Sequence, residues 1–384
     1  MNEGGAPPTL VESTYSVPTD SQDSEFNALP EVVRTVLGRP YNKVASFETT
    51  QIQGGITNRL YRLEPVAFVR AEDGGDDALR SLPPGVIVRV YGDNTELLID
   101  RQKDIENFVA LSQQKFGVKL LGLFKNGRIE EYFNDSITLA PSDLCKPHLT
   151  DLIAKELCKM HLLNVVKTSE GTEKKEPILF KTLEKWISLA ESIDWGGDMD
   201  KKERVEKINL GSVREEIVWL KNLLKQTASP IVFAHNDLLS GNILYREGDS
   251  NLVFVDYEYG GWNYRGFDIG NHFCEYAGFD YTKFAEVYPN KETQMQFLSA
   301  YAKEEMKLQA SVDSEPGSPE FFDKLERLYV EVNRYALGSH LFWGVWGIIQ
   351  AKHSKIDFDF LKYGEERIAA FYYSKKSLIK NGLA

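Results

Sequence analysis

The sequence predicts an α+β chain in which a small strand-rich lobe precedes a larger, mainly helical one. Three observations carry this. Between 44 and 134, short apolar segments alternate with period two and are separated by Gly, Pro and Asn. After 134, apolar residues recur at helical spacing. And 384 residues with 42% hydrophobic content can bury a sizeable core, as one large domain or two lobes.

The elements follow in order. Residues 1–26 are rich in Ser, Pro, Gly and acidic side chains and read as a disordered tail. "ASFETTQIQ" and "RLYRLEP" flank a Gly-Gly pair and predict a hairpin. An acidic Gly/Pro-containing loop follows, then "VIVRVYG", a strand by its β-branched content. Residues 95–115 have helical periodicity, with Thr95 as the N-cap. "VKLLGLF" and "RIEEYF" are strands joined at Asn126-Gly127, a favourable hairpin turn. Helices are expected at 150–161, 182–193 and 213–226, then a strand "LVFVDY", then long helices interrupted by the linker "SVDSEPGSPE". The division is therefore 1–26, 27–134 and 135–384. A β-rich lobe before a helical one is the outline of a bilobal, protein-kinase-like fold, which by itself says nothing about activity.

The formal net charge of −12 argues against a nucleic-acid surface or a broad anionic-membrane patch. Cys145, Cys158 and Cys274 are widely spaced and show no metal-ligand pattern, which suits a reducing compartment. The N-terminus has neither the basic region nor the apolar core of a signal peptide. "YALGSHLFWGVWGIIQ" is too short to span a bilayer, carries His340, and reads as a buried helix. The expectation is a soluble cytoplasmic protein.

The chemistry concentrates in "VFAHNDLLSGNILY", residues 232–245. Phosphoryl transfer needs a carboxylate to accept the hydroxyl proton, oxygen ligands for Mg2+, and donors that hold the phosphates. Asp237 and Asn242 have the spacing of the kinase catalytic loop H-R-D-x-x-x-x-N. Asp256 stands fourteen residues beyond Asn242, at the end of the apolar strand "LVFVD". Asp237 would be the base, with Asn242 and Asp256 the metal ligands. An Asp and an Asn at this spacing also suit an ordinary turn. The flanking strands, His235 and the strand-terminal Asp256 favour catalysis.

In the small lobe, Gly54, Gly55, Thr57 and Asn58 of "GGITN" could set backbone N–H groups near phosphates, although Gly-Gly in a hairpin is often only a turn. Arg89 lies mid-strand among apolar residues, where a cation tends to be paired or functional. Asp104, on the following helix, is its candidate partner, as in the Lys–Glu pair of protein kinases. A surface ion pair is the alternative. No G-x-x-x-x-G-K-[ST] is present, which disfavours a P-loop enzyme.

"AHNDLLSGNILY" and "VFVDYEYGGWNYRGFDIGNHFCEYAG", together with "VRVYGDNTELLIDR", "EVNRYALGSHLFWGVWGIIQAK" and "IDFDFLKYG", resemble the choline/ethanolamine kinase family from about residue 44 to the C-terminal helix. The resemblance implies ATP and Mg2+ as cofactors and an amino alcohol as acceptor. It implies Asp237 as base, Asn242 and Asp256 as metal ligands, Arg89 as phosphate contact with Asp104 behind it, and Glu131 to Phe133 as the adenine hinge. Tyr259, Glu275, Trp343, Trp346 and Tyr363 would line the amino-alcohol pocket. Aromatic faces and a carboxylate are what an ammonium group requires. Trp343 and Trp346 share a helix face and would also serve simple core packing. Asp268 is expected to brace the catalytic loop, with His235 structural. A homodimer is compatible with the resemblance, although no helix announces an interface.

Leu239, where many animal choline kinases carry Gln, and the "NTEL" of 94–97 resemble ethanolamine kinases more than choline kinases. The expected reaction is phosphorylation of ethanolamine, the first step of phosphatidylethanolamine synthesis from the free base. The alternative is choline on the same scaffold. A non-catalytic kinase-like binder and a protein or antibiotic kinase are the remaining readings. No D-F-G…A-P-E segment supports the protein-kinase version.

Overall fold

The structure is a computed structural model that describes residues 11–19, 21–52, 58–68, 85–92, 97–164, 175–310 and 315–384. The chain divides into two units, Met1–Ile137 with Leu244–Glu258, and Thr138–Ile243 with Tyr259–Ala384.

The first unit is built on a six-stranded sheet in the order β1-β5-β6-β4-β3-β2. The expected hairpin is β2 (Val44–Ile52) against β3 (Asn58–Phe68), which pairs with β4 (Val86–Tyr91). β5 (Leu120–Phe124) and β6 (Gly127–Glu131) turn at Asn126, as the sequence implies. In β4, Val86, Val88 and Val90 enter the core on one face, while Ile87 and Arg89 are buried on the other. A strand covered on both faces reads as a continuous apolar run, and "VIVRVY" does so except at Arg89.

The tail expected to be disordered to residue 26 differs in its described part. β1 (Val11–Ser13) adds in parallel to β5, and α1 (Gln22–Leu37) is capped by Ser21, whose Oγ accepts the Ser24 N–H at 3.1 Å. The polar residues that suggested disorder have structural uses: Ser21 caps, and buried Glu25 pairs with Arg59 at 2.9 Å. Leu29, Val32, Val33 and Val36 form the i, i+3, i+4, i+7 stripe that joins Tyr61, Leu63 and Ile129 in the core.

The helix expected from Thr95 is α2 (Arg101–Gln113), capped by Asp100, which accepts from Lys103 N at 3.2 Å; Thr95 lies outside the described residues. The hairpin of β9 (Ile243–Arg246) and β10 (Asn251–Phe254) belongs largely to the first unit, not with the residues that precede it. Phe254 packs edge-on to Phe116, and Tyr257 packs on Phe108. A boundary drawn at one point in sequence cannot represent a chain that returns.

After the two-residue strand β7 (Ile137–Thr138), the second unit is mainly helical. α3 (Pro147–His161), α4 (Leu179–Glu191) and α6 (Leu210–Lys225) match the expected helices within a few residues. The polar α5 (Met199–Ile208) had no apolar stripe to announce it. β8 (Ile231–Ala234) pairs antiparallel with β11 (Gly261–Tyr264), which leads into α7 (Arg265–Cys274). The remaining helices are α8 (Phe284–Val287), α9 (Lys291–Gln309), α10 (Pro319–His353) and α11 (Phe360–Lys380).

The apolar segment of α10 is buried from Tyr335 to Ile349. Its backbone approaches α11 closely at Gly347, where an added Cβ would lie 2.8 Å from the Phe360 carbonyl oxygen and 3.0 Å from Gly364 N. Among the described residues no helix is long and apolar enough to cross a membrane.

Candidate active site

The loop 235–242 leaves β8 and is fixed from below by Asp268, on the first turn of α7. The buried Asp268 carboxylate accepts the His235 backbone N–H at 2.8 Å and that of Asn236 at 2.7 Å. A third bond comes from His161 Nε2 at 2.9 Å; the carboxylate is an acceptor, so Nε2 carries the proton and Nδ1 accepts from Tyr301 at 2.8 Å. Burial opposes ionisation of Asp268, but the His161 hydrogen bond and the backbone donors outweigh it and hold the carboxyl below the usual aspartate range. This is the bracing role expected of Asp268.

Asn236 has φ +65°, a left-handed conformation that Asn tolerates. Its side chain donates to Tyr259 O at 2.9 Å and accepts from Asn263 at 2.7 Å. His272 Nδ1 donates to the Leu238 carbonyl at 3.0 Å. The backbone around Asp237 is thus tied on both sides, while its side chain stays half-buried. Asn242 turns its Nδ2 onto Asp237 O at 2.8 Å and Oδ2 at 3.4 Å. Its Oδ1 accepts no hydrogen bond from the described residues, which leaves the atom a cation would need.

The predicted acceptor residues come together in this same unit. Tyr259 packs edge-on to Trp343 at 5.0 Å between centroids, Trp343 to Trp346 at 5.5 Å, and Trp346 to Tyr363 at 6.2 Å. Trp346 Nε1 donates to Tyr259 Oη at 2.8 Å, and Trp343 Nε1 to Asn271 Oδ1 at 2.8 Å. Burial lifts the Tyr363 hydroxyl above the usual tyrosine range, helped by the Glu275 and Asp237 charges and opposed by Arg367. The tyrosine therefore stays neutral and feels the Asp237 carboxylate. Glu275 is buried and pairs with Arg367, with Oε1 3.0 Å from Nη1.

In the first unit the expected Arg89–Asp104 pair is not formed. Arg89 Nε donates to Glu130 at 2.8 Å and Nη1 to Asp256 at 3.1 Å. Asp104 instead accepts from Arg128 Nη1 at 2.7 Å, and Arg128 Nε donates to Glu130 at 2.7 Å. Arg89 and Arg128 stand opposite one another on β4 and β6, so each needs its own carboxylate and they share a third. Burial opposes ionisation of Glu130, but the two guanidinium groups outweigh it and hold its pKa down to about 2.

Asp256 sits at φ +67°, beyond the end of β10, with Oδ1 on Arg89 and Oδ2 without a described donor. Asn58, at the start of β3, donates its Nδ2 to Glu258 at 3.0 Å and accepts at Oδ1 from Arg101 Nη2 at 3.0 Å. Gly54, Gly55 and Thr57 lie outside the described residues. Glu131 ends β6 and accepts the Lys119 N–H at 3.2 Å; the Phe133 ring lies under the Arg246 guanidinium at 4.4 Å.

Asn242 and Asp256 are hard oxygen donors of the type Mg2+ takes. Among the described residues no group of three or more His, Cys, Asp or Glu could form an all-protein cage. Mg2+ ordinarily takes one or two protein oxygens and completes its shell with phosphate and water, so the oxygens of Asp256 in the first unit and of Asn242 in the second are each of a kind it accepts.

The sequence reading missed Arg367, Glu130, Arg128, Arg101, Glu258 and Asn271. For Arg367 a signal existed. Phe360, Tyr363, Gly364, Arg367, Ile368 and Phe371 fall on one face of α11, and all are buried. Within "GEERIAAF" the arginine looks like part of a solvated charge run.

The chain resembles known proteins over nearly its whole length. The model of the family described as choline/ethanolamine kinase matches residues 49–372. The probable ethanolamine kinase A of Dictyostelium discoideum is 39% identical over 364 residues, covering 94% of this chain and 95% of that protein. Human ethanolamine kinase 2 is 36% identical over 375 residues, covering 97% and 86%. The structure of a Plasmodium vivax ethanolamine kinase superposes with a TM-score of 0.76 at 27% identity, covering 93% and 90%. A Cryptosporidium parvum choline kinase superposes at 0.71 and 26%, covering 93% and 97%. A kinase-type catalytic loop, an aromatic cluster beside its aspartate and a match over nearly the whole length lead to one assignment: the chain belongs to the choline/ethanolamine kinase family.

Proposed function

We propose that the chain is an ethanolamine kinase, transferring the γ-phosphoryl group of ATP to the hydroxyl of ethanolamine as the first step toward phosphatidylethanolamine. The observation that carries this reading is the gathering of Tyr259, Trp343, Trp346 and Tyr363 in the unit that also presents Asp237. Rings around an ammonium group supply cation–π attraction. Glu275 supplies a carboxylate, and the aspartate takes the other end of a two-carbon alcohol. A primary ammonium donates three hydrogen bonds where a trimethylammonium donates none, and Glu275 Oε2 is an acceptor with no described partner. Ethanolamine kinases among the relatives favour this acceptor over choline.

Bound ATP supplies the electrophilic phosphorus, and Mg2+ offsets charge on its phosphates. Asp237 orients the hydroxyl and takes its proton as the alcohol oxygen bonds to phosphorus and the bond to ADP breaks. Asn242 and Asp256 each offer an oxygen to Mg2+. Arg89 faces the phosphates with its charge fixed by Glu130, and 131–133 receive adenine. Gly54, Gly55, Thr57 and Asn58 belong to the phosphate side. The protein works in the cytoplasm, where ATP and free amino alcohols meet, and light scattering decides between monomer and homodimer.

The test is coupled ADP release with ATP, Mg2+ and either ethanolamine, choline or no acceptor. Preference for ethanolamine supports the reading. Preference for choline reverses the substrate, and no acceptor-dependent release overturns the activity.

A further inference from the structure

Arg367 is the one fully buried cation on α11, four residues after Tyr363 and on the same face. A guanidinium without water must be matched by acceptors. Nη1 donates to Glu275 Oε1 at 3.0 Å and to the Tyr281 hydroxyl, and lies 3.4 Å from the Tyr363 hydroxyl. Nη2 donates to the Ser339 carbonyl at 2.9 Å and to its Oγ at 2.6 Å. Ser339 Oγ in turn donates to Asn271 Oδ1 at 2.7 Å, the same atom that accepts from Trp343 Nε1. One side chain thus reaches three of the five acceptor residues: Glu275 and Tyr363 directly, and Trp343 through Ser339 and Asn271.

The bonds are unequally shared on Glu275. Oε1 takes Arg367 and, at 3.4 Å, Tyr281, whereas Oε2 accepts nothing from the described residues although the side chain is only 5% exposed. Resting on the ethanolamine-kinase reading, we propose that Arg367 is a positioning residue for the substrate ammonium. It fills Oε1, keeps Glu275 charged in a buried place, and so reserves Oε2 for the primary ammonium while pinning the Tyr363 and Trp343 rings.

The charge balance supports this. Burial raises the Glu275 pKa, and Arg367 and the Tyr281 hydrogen bond oppose that rise. The other groups facing the pair do not replace Arg367. Tyr281 and Tyr363 are neutral, the Cys274 thiol is pushed up to about 12 by burial, and buried His340 on α10 stays neutral. Without the guanidinium, the burial that favours the protonated form of Glu275 loses its main opposition. A protonated Glu275 no longer attracts an ammonium group.

The experiment uses Arg367→Met and Arg367→Lys in the full chain. Ethanolamine is titrated by tryptophan fluorescence without ATP, and KM for ethanolamine and for ATP is measured between pH 6 and 9. Expected for Arg367→Met are at least about tenfold weaker ethanolamine binding, a KM for ATP within about twofold of wild type, and a new limb in kcat/KM for ethanolamine that rises with pH. Arg367→Lys recovers part of the loss. Wild type that binds no ethanolamine removes the functional reading and this inference with it. Wild type that binds, with a folded Arg367→Met that binds equally well, overturns only the inference, as does a parallel rise of both KM values without a pH limb. If Arg367→Met does not fold, Glu275→Gln/Arg367→Met removes both buried charges, and its comparison with Glu275→Gln decides. Weaker binding by the double variant supports the ring-pinning role, and equal binding overturns it.

Discussion

Replacing Asp268 by Asn changes one oxygen to NH2 at the point where three donors converge. Placed at the Oδ2 position, the amide oxygen still accepts the His235 N–H and His161 Nε2–H, but without its charge. The NH2 then stands at the Oδ1 position and faces the Asn236 N–H, which loses its acceptor. Hydrogen bonds to a charged group contribute about 1.5–3 kcal/mol each, and a buried donor left unpaired costs about 1–3 kcal/mol. With one charged bond lost, its donor left buried and unpaired, and two bonds weakened by loss of the charge, the expected loss is about 3–5 kcal/mol. For a unit of this size each kcal/mol shifts Tm by roughly 2–4 °C, so melting should fall by roughly 6–20 °C.

The deficit should also depend on pH in a defined direction. The folded Asp268 pKa lies below its unfolded value, so its contribution is complete above the unfolded pKa, near 3.9, and is lost as pH falls through the folded one. Differential scanning calorimetry of wild type and Asp268→Asn at pH 7 and below 4 provides the check. The gap should be large at pH 7 and close toward low pH, and kcat should fall because the backbone bearing Asp237 loses its anchor. A folded variant with unchanged melting at pH 7 refutes the bracing argument. Unchanged melting with lost turnover would make Asp268 a chemical participant instead.

Three further predictions concern other parts of the molecule. Asp104→Leu leaves the buried Arg128 with Glu130 alone, a carboxylate it shares with Arg89, and should cost about 3–5 kcal/mol in urea unfolding, whereas Asp104→Leu/Arg128→Leu should recover most of it; an equal cost in both would deny the pairing. Trp346→Phe removes the donor to Tyr259 and should raise KM for the amino alcohol several-fold, through a loss of about 1 kcal/mol, with KM for ATP unchanged. His272 has its pKa lowered to about 4 by burial, against the Leu238 hydrogen bond and Asp268. Its unfolded form binds a proton near pH 6.5, so stability should fall by roughly 3 kcal/mol as pH drops from 6.5 to 4, and His272→Gln should flatten that stretch of the melting profile.

The parts legible in the sequence are those fixed by local pattern. Period-two alternation placed the strands 44–52, 58–68 and 86–91, and Asn126-Gly127 placed a turn. Asp237 and Asn242 sit five residues apart within a recognisable motif, whereas the bracing by Asp268, on a separate helix, is implied only by the family resemblance. Pairings between distant segments were not legible. Arg89 has two carboxylates within reach that no spacing could rank above Asp104, because the choice depends on which residue of β6 stands opposite β4. Glu275 is a carboxylate within the apolar "HFCEYAG", and its partner is 92 residues away on α11. The tail misled because capping and ion-pairing residues have the same composition as disorder.

The most direct test of the central claim is turnover of Asp237→Asn with ethanolamine, ATP and Mg2+. The melting temperature and ethanolamine binding of the same preparation show that fold and pocket remain. The account predicts a kcat lower by about 100-fold or more with both controls near wild type, since a positioned base contributes about 10²–10⁴ in rate. Wild-type turnover by Asp237→Asn would contradict it.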